Sequence, residues 1–282
     1  MSISKVILNG TTLIDATTAT AAASDITSPK TAMLADGVMT TGTGSGGGYS
    51  EEDINMLVSG SLSGDLIYTA TSIGRAFANT TGSFSLSFPN ATSIKNVAYL
   101  MESCGASSVS FPELNVTVNG NFLKGCSAVV IFAPQITIND AFAQNSSNLE
   151  TVVIGSFGTR FQQLNNCPKL KTVDASYSTG KIDNTFQSGC SNLDTFILRG
   201  SSILQLYTVT SFDSTKFKSG GTGGIIYIPE SLYNHLGDGT SSDYKAATNW
   251  SVIDGYGTIT WAKIEGSYYE THYADGTEIP TT

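Results

Sequence analysis

The apolar and polar positions of this chain repeat with a step of 21 to 23 residues. The clearest copies are NLETVVIGS at 148–156, KLKTVDASYS at 169–178 and NLDTFILRGS at 192–201, and each reads Leu-x-x-apolar-x-apolar. Alternation of this kind is typical of a strand with one buried face. Three earlier copies share it. The last apolar position of the six strands falls at Phe88, Phe111, Phe132, Ile154, Ala175 and Leu198.

Three further positions keep the same step along the chain. A unit made of one strand, a turn and an irregular segment cannot bury its own apolar face, so identical units stack and share a core. The pattern therefore predicts a mainly β fold with short helices, a β-solenoid of about six turns. The three ladders are Phe77, Leu100, Phe122, Phe142, Leu164 and Phe186; Ile73, Val97, Val118, Ile138, Phe157 and Ile182; and Cys104, Cys126, Ser147, Cys167 and Cys190.

The repeat resembles the BspA-like leucine-rich repeat family. The family pattern S-I-G-x-x-A-F followed by C-x-x-L-x-x-V-x-F-P is similar to SIGRAF at 72–77, SFPNATSI at 87–94 and GCSNLDTFIL at 189–198. The stretches GGIIYIPESLYNHL at 223–236 and YKAATNWSVI at 244–253 resemble the usual end of such arrays. The resemblance implies a leucine-rich-repeat β-solenoid. It implies no single function, because such repeats occur in surface adhesins and in phage tail components alike.

Composition changes along the chain and predicts four segments. Ser50 is followed by three acidic residues and then INMLVSG, which predicts a short helix that caps the first turn. Helices around 229–236 and 243–249 would cap the other end, and the residues after them alternate like one or two strands. The segments are a small N-terminal module at 1–43, a glycine-rich linker at 44–49, the capped solenoid at 50–255 and a C-terminal β appendage or tail at 256–282.

The N-terminal module resembles a short module found near the start of phage tail and prophage-encoded proteins. The matching residues are Thr12-Leu13-Ile14-Asp15 and the later Gly37-Val38-Met39-Thr40-Thr41-Gly42. KVILNGTTLIDAT, which contains the first match, reads as strand, Asn-Gly turn and strand. The start MSISKVILNGTTLIDATT lacks the apolar core of a signal peptide, which predicts a protein that is not exported by that route.

Charge argues against two classes of partner. The formal net charge is −9 and the 14 Lys and Arg residues are scattered singly, whereas nucleic acid needs clustered cations. An anionic membrane surface is disfavoured for the same reason, and no apolar run is long enough for a transmembrane helix. We therefore expect no nucleic-acid partner and no membrane insertion.

The residues that most often carry chemistry form no recognisable set. His235 and His272 are the only histidines, and neither has a cysteine or acid at ligand spacing, so we expect no metal, no cofactor and no enzyme activity. The cysteines lie one repeat apart in two pairs, Cys104 with Cys126 and Cys167 with Cys190. A stacked, buried thiol ladder is the favoured interpretation, although adjacent turns are also close enough for disulfides.

Alternate strand positions form the face predicted to be exposed. It holds one acid, Asp174, which disfavours a carbohydrate-cleaving site because glycosidases need paired carboxylates. A solvated surface and a binding face for polysaccharide or protein both remain open, and the candidate binding residues are Thr151, Val153, Thr172, Asp174, Thr195 and Ile197. The full set of predicted outer positions is Ser85 and Ser87, Ser108 and Ser110, Val129 and Ile131, Thr151 and Val153, Thr172 and Asp174, and Thr195 and Ile197.

These observations favour a non-enzymatic structural and binding protein of a phage or prophage particle, associated with the tail, baseplate or fibre. In this hypothesis residues 1–43 bind other virion proteins, and the solenoid faces a bacterial surface polysaccharide or protein. The expected location is a virion assembled in the host cytoplasm, and homo-oligomer formation stays open. The alternative is a BspA-like adhesin, at the bacterial cell surface or secreted, that binds host protein or glycan.

Overall fold

The structure is a computed structural model of a mainly β protein. It describes the strands at 5–8, 11–15, 31–33, 39–41, 61–67 and 72–73, and residues 77–94, 101–158, 163–177 and 179–280. Contacts between Cα atoms divide the chain into two compact units, Met1–Tyr49 and Ser50–Thr282. The linker predicted at 44–49 and the capping helix predicted from Ser50 lie outside the described residues.

The described strands of the first unit form two antiparallel pairs. Strand β1 (Lys5–Leu8) pairs with β2 (Thr11–Asp15), which confirms the strand–turn–strand prediction for the strands themselves. Strand β3 (Thr31–Met33) pairs with β4 (Met39–Thr41). The two matches to the phage-like module, Thr12–Asp15 and Gly37–Gly42, therefore overlap β2 and β4.

The second unit is a parallel β-solenoid of about six turns, as the repeat predicted. Its main sheet has the order β18-β17-β15-β13-β12-β11-β9-β7-β5, and all of its neighbouring strands are parallel. The strands are β5 (Ser61–Ile67), β6 (Ser72–Ile73), β7 (Thr81–Ser87), β8 (Ser93–Ile94), β9 (Ser108–Ser110), β10 (Thr117–Val118), β11 (Val130–Ile138), β12 (Thr151–Phe157), β13 (Thr172–Ala175), β14 (Lys181–Ile182), β15 (Thr195–Leu198), β16 (Gln205–Leu206), β17 (Gly224–Ile228) and β18 (Ile259–Lys263).

Short parallel pairs form a second side of the solenoid. Strand β6 pairs with β8, β14 pairs with β16, and the end of β11 lies between β10 and the end of β12. Val118, Ile138 and Phe157 are in register there, which confirms part of the predicted ladder. Ile73 pairs with Ile94 and not with the predicted Val97.

The interior is made of stacked side chains from successive turns. Leu86, Val109, Ile131, Val152, Val173 and Phe196 are in register across the sheet and are all buried. Aromatic rings continue the stack, because Phe88 lies parallel to Phe111 at 4.7 Å between ring centroids. Burial of this kind is the main contribution to the stability of a stacked repeat.

The third turn corrects the predicted register by one residue. Ala133, and not Phe132, pairs with Ile154, and Ile131 pairs with Val152 on the buried side. The run VVIFAP at 129–134 is apolar on both faces, so alternation cannot identify its inner positions. Phe132 and Val130 therefore occupy the outer face, where Ile131 and Val129 were predicted.

The buried sulfur ladder also shifts at one turn. All four cysteines are buried, free thiols, as the favoured interpretation held. Cys126 Sγ contacts the Oγ of buried Ser146 at 3.3 Å, so Ser146 and not Ser147 occupies the ladder position. Thr80 occupies it one turn before Cys104, and its hydroxyl donates to that sulfur at 3.5 Å. Polar atoms of similar size thus stack along one line of the core.

A second recurring position needs the left-handed backbone. A positive φ recurs once per turn at that position, and the N–H of five of the six residues donates to a carbonyl of the next turn, from Asn145 to Asn165 for example. Asparagine and glycine tolerate this conformation best, which explains their recurrence before each strand. The positions are Asn79, Ser103, Gly125, Asn145, Asn166 and Gly189.

Short helices and β18 close the C-terminal end. A 3₁₀ helix at Val209–Phe212 is followed by α1 (Glu230–Tyr233), α2 (Trp250–Asp254) and α3 (Tyr268–Thr271). Trp250 is fully buried against Phe212 and donates from Nε1 to the Leu204 carbonyl at 2.7 Å.

Two predictions about this end need correction. The second capping helix lies at α2 and not at 243–249, where Asp243 instead accepts hydrogen bonds from the backbone of a turn. The appendage predicted at 256–282 is not separate from the solenoid. Strand β18 extends the main sheet beside β17, and later residues pack on the outer face.

Candidate binding surface

The outer face changes from polar to apolar along the solenoid. The first turns place Ser85, Ser87, Ser108 and Ser110 on it in register, and all four are half-buried. We call these four residues the serine strip. Ser85 Oγ donates to the Asp65 carboxylate at 2.6 Å, and exposed Thr81, Ser83 and Ser107 lie nearby in sequence. The strip presents hydroxyl groups that both donate and accept hydrogen bonds.

Three of the six predicted binding residues form a row. Thr151, Thr172 and Thr195 pair with one another across β12, β13 and β15, and each remains half-buried. Their spacing follows the distance between neighbouring strands, about 4.8 Å. The row is therefore partly accessible, and Val130 separates it from Ser108 of the serine strip along the same line of the face.

The other three predicted binding residues are not exposed, which corrects the prediction. Val153, Asp174 and Ile197 are each 0% exposed. They lie on the outer face as predicted, since Val153 pairs with Asp174 and Asp174 with Ile197. Residues after β18 pack on this part of the face. We call residues 264–280 the closing segment.

The closing segment makes an apolar contact and an ionic contact with the outer face. Tyr273 packs on Phe132 and Val153, with Ala274 and Ile279 alongside, and the Phe132 and Tyr273 rings are 5.3 Å apart in an edge-on arrangement. Aromatic pairs of this geometry stabilise beyond their buried area, by roughly 1 kcal/mol. The outward position of Phe132 in the third turn is thereby explained, because its ring has a buried partner.

Asp174 is the centre of the ionic contact. Arg199 donates to both of its carboxylate oxygens at 2.7 Å, from Nε and Nη2. The same guanidinium donates to the backbone carbonyls of Tyr269 and His272, and the Ala274 amide donates to Asp174 Oδ2 at 2.9 Å. The one acid predicted on the exposed face is thus a buried anchor for the closing segment.

The electrostatics of this anchor depend on burial and pairing together. Burial raises the pKa of the Asp174 carboxyl, whereas the hydrogen bonds and charge of Arg199 and the Ala274 amide lower it. Two-pronged pairing with a guanidinium is strong and favours the ionised carboxylate. A carboxylate whose oxygens already accept three hydrogen bonds is poorly placed to act as a general acid or nucleophile.

The histidines and acids of the described residues do not assemble a metal site. His235 Nδ1 contacts Asp238 Oδ2 at 2.6 Å on the surface, and His272 stacks on Tyr268 at 4.4 Å. Where the chain is described, no group of three or more His, Cys, Asp or Glu side chains could hold a metal ion. Nor does any described helix have the length and apolar character needed to cross a bilayer.

The thiols are buried away from solvent. Burial raises the pKa of all four cysteines, and that of Cys190 reaches about 11. A protonated, buried thiol is a poor nucleophile and a poor metal ligand. The cysteines therefore contribute packing, as small apolar groups with weak hydrogen bonds to neighbouring turns.

A cleft at the C-terminal end was not foreseen from the sequence. It has a volume of about 570 Å³ and lies where the closing segment meets the ends of β13 and β15 and the start of α1. Tyr177, Arg199, Glu230, Glu270 and Tyr273 are among the residues that line it. The clustered aromatic and acidic residues of 265–273 were the available signal, but no period links them to residues near 177.

Comparison with protein-family models, with curated proteins and with solved structures found no match. The fold described above therefore rests on this chain's own register and packing. The candidate surface consists of the serine strip and the row of Thr151, Thr172 and Thr195. It is a hydroxyl-bearing surface on a parallel, hydrogen-bonded sheet.

Proposed function

We propose that this chain is a non-enzymatic structural and binding protein of a phage or prophage particle, associated with the tail, baseplate or fibre. Residues 1–43 attach it to other virion proteins, and the solenoid presents its serine strip to a polysaccharide or protein of the bacterial surface. The observation that carries the binding role is the in-register, half-buried set Ser85, Ser87, Ser108 and Ser110 on a parallel sheet.

The physical support for this role is the rigidity of the backbone under the hydroxyl groups. The strands that carry the strip, β7 and β9, are each hydrogen-bonded on both sides, and Leu86 and Val109 are buried between its serines on the inner face. A rigid array loses little conformational entropy when a ligand binds. Repeated hydroxyls at the spacing of neighbouring strands suit an extended, repeating ligand such as a polysaccharide.

The support for a particle is the resemblance of Thr12–Asp15 and Gly37–Gly42 to modules of phage tail and prophage-encoded proteins. The BspA-like repeat motifs favour a second candidate, a bacterial surface adhesin that binds host protein or glycan. Both candidates use the same surface. They differ in what the N-terminal unit attaches to.

The particle assignment is tested by mass spectrometry of purified particles from an induced host that encodes the chain. We expect peptides of this protein to copurify with tail proteins and immunogold label to appear at the tail. Particles that never contain the chain would overturn the assignment, and label on the bacterial envelope would favour the adhesin.

The binding surface is tested with purified protein on bacterial cells. The Ser87→Lys/Ser110→Lys variant places two long charged side chains on the strip, and we expect at least about tenfold weaker binding, or about 1.4 kcal/mol. Ser191→Lys/Ser219→Lys is the matched control at exposed positions elsewhere. Equal binding by both variants would exclude the serine strip.

A further inference from the structure

The cleft beside the closing segment combines features of a ligand site. Its volume of about 570 Å³ falls within the range of small-molecule sites, roughly 300 to 1,000 Å³. It is lined by residues from four parts of the chain: the end of β13, the end of β15, the start of α1 and the closing segment. Such sites bind through apolar walls and a few placed polar groups, and the cleft has both.

The apolar walls include flat rings and branched side chains. Tyr177 lines the cleft and is 50% exposed, whereas Tyr273, on the closing segment, is 8% exposed and fixed by Phe132. Ile264 and Ile279 line the same cleft. An exposed tyrosine ring offers a large, rigid contact area at low entropic cost, with a hydroxyl at its edge.

Charge in the cleft is predominantly negative. The carboxylates of Glu230 and Glu265 each accept a hydrogen bond from Lys263 at 3.1 Å, so one ammonium serves two acids. Glu270 accepts from the Gly266 amide at 2.7 Å and has no cation bound to it in the described structure. Arg199 also lines the cleft, but its charge is offset by Asp174.

A buried hydroxyl group lies behind the wall of the cleft, beside Tyr273. Ser176 lines the cleft, and its Oγ is buried without a hydrogen bond that meets normal geometric limits. It lies close enough to the Tyr273 hydroxyl to lower that group's pKa, against the larger, opposing effect of burial. The Ser176 hydroxyl therefore contributes to the cleft by holding Tyr273, whose ring forms one of its walls.

We propose that this cleft binds a saccharide unit that carries a protonated amino group. The ring of Tyr177 packs on the apolar face of the sugar, and the sugar's hydroxyls hydrogen-bond to the carboxylates at the rim. The ammonium group pairs with the uncompensated carboxylate of Glu270. A narrow lysine side chain would leave much of the cleft to water, so the volume favours a ring-sized ligand over a basic peptide.

This inference does not depend on the particle-bound function. The cleft is formed by residues of the second unit alone, and it lies on turns other than those of the serine strip. Binding at the cleft can therefore be present in a phage protein or in an adhesin, and loss of one site leaves the other intact.

The experiment is calorimetric titration of the full chain with a glucosamine disaccharide, with the N-acetylglucosamine disaccharide as the neutral counterpart. We expect the charged sugar to bind at least about tenfold more tightly than the neutral one and to weaken as salt is added, because partly exposed charges are screened. Equal affinities, or no binding of the charged sugar, would overturn the proposal.

Variants locate the site. Tyr177→Ala and Glu270→Gln should each weaken binding about tenfold, and Gln at 270 can still accept the hydrogen bond from Gly266. Tyr207→Ala and Glu113→Gln, exposed elsewhere, are the matched controls and should bind as the unaltered chain does. An equal effect of the control variants, or equally tight binding of a lysine-rich peptide, would contradict a saccharide site here.

Discussion

At the scale of single residues, two sets of buried polar groups stabilise the outer face and the core. The first is the ion pair of Asp174 with Arg199, whose side chains are 0% and 10% exposed. The second is the line of thiols and hydroxyls from Thr80 to Cys190 inside the turns. Both place polar atoms in the interior, where an unpaired partner is costly.

Replacing Arg199 tests the first feature. Arg199→Met leaves the Asp174 carboxylate buried without its partner, and we expect a loss of about 3 to 5 kcal/mol in the free energy of unfolding. The measurement is urea unfolding followed by circular dichroism at neutral pH. The double variant Asp174→Asn/Arg199→Met should lose less, because no unpaired charge remains, and an equal loss in both variants would contradict a buried ionic anchor.

The thiols predict how stability changes at alkaline pH. The pKa of Cys190 is raised in the folded state from 9.0 to about 11, so its protonated form is favoured by folding. Its contribution is fully present below pH 9.0 and is lost as the pH rises through about 11. Cys190→Ser should therefore lose less stability than the unaltered chain over this interval, by about 1.4 kcal/mol for each unit of pKa difference.

The measurement is the free energy of unfolding at a series of pH values under reducing conditions. Serine is a suitable replacement because Ser146 occupies the same ladder position one turn before Cys167. If the free energy of unfolding changes with pH in the same way for both proteins, burial does not raise the pKa of Cys190 in the folded state.

At the scale of structural elements, the turns contact one another so closely that some positions exclude any side chain. Gly180 has a φ of +83°, and a Cβ there would overlap the carbonyl oxygen of Phe157 in the preceding turn. Gly220 has a similar φ of +67°, but no atom lies within 4 Å of its Cβ position. A comparison of substitutions at Gly180 and Gly220 therefore distinguishes the cost of the left-handed backbone from the cost of a clash between turns.

We expect Gly180→Ala to destabilise the protein by at least about 2 kcal/mol more than Gly220→Ala. Both variants pay roughly 1 kcal/mol for the left-handed backbone, and only the first must also move one turn away from another. Thermal and urea unfolding of the two variants measure the difference. Equal destabilisation by the two substitutions would mean that the turns can move apart at Gly180 without a loss of stability.

The strands could be predicted where their residues alternate between buried and exposed positions, and not where this alternation is absent. The step of 21 to 23 residues predicted the turns because stacked strands alternate in burial, and Leu86, Val109 and Val173 confirm this. The predicted register was wrong by one residue at 129–134, because apolar residues lie on both faces of this strand. Phe132 needed a partner that no periodic pattern could supply, since Tyr273 lies far along the chain.

The same reason explains the incomplete prediction of the candidate site. Thr151, Thr172 and Thr195 remain partly accessible, as expected of outer-face residues, but Val153, Asp174 and Ile197 are covered. The hydrogen bonds of Arg199 and Asp174 with the closing segment join residues 70 to 100 positions apart, outside the repeat. A lone acid among aliphatic outer positions, with Arg199 just beyond the next strand, was the available sign of a buried ion pair.

At the scale of the whole molecule, the solenoid is a one-dimensional stack in which each turn is supported by its two neighbours. The two tryptophans of the sequence, Trp250 and Trp261, lie at the C-terminal end. Their fluorescence reports on that end, while circular dichroism reports on the whole sheet. The two signals together show whether the stack unfolds as one unit.

We expect the two unfolding curves to coincide for the unaltered chain and to separate in Phe142→Ala. Phe142 is fully buried in a middle turn and stacks on Phe122 at 5.8 Å, so its loss costs about 3 to 5 kcal/mol and weakens coupling between the two ends. Coincident curves in the variant would show that the ends remain coupled through other contacts.

The closing segment has a consequence for synthesis on the ribosome. Neighbouring turns join residues about one repeat apart, so they can form in sequence as the chain emerges. Arg199 contacts His272 across 73 residues and Asp174 contacts Ala274 across 100. The nascent protein therefore carries Phe132 and Val153 uncovered until residues 264–280 have left the ribosome, and chaperones have that interval in which to bind it.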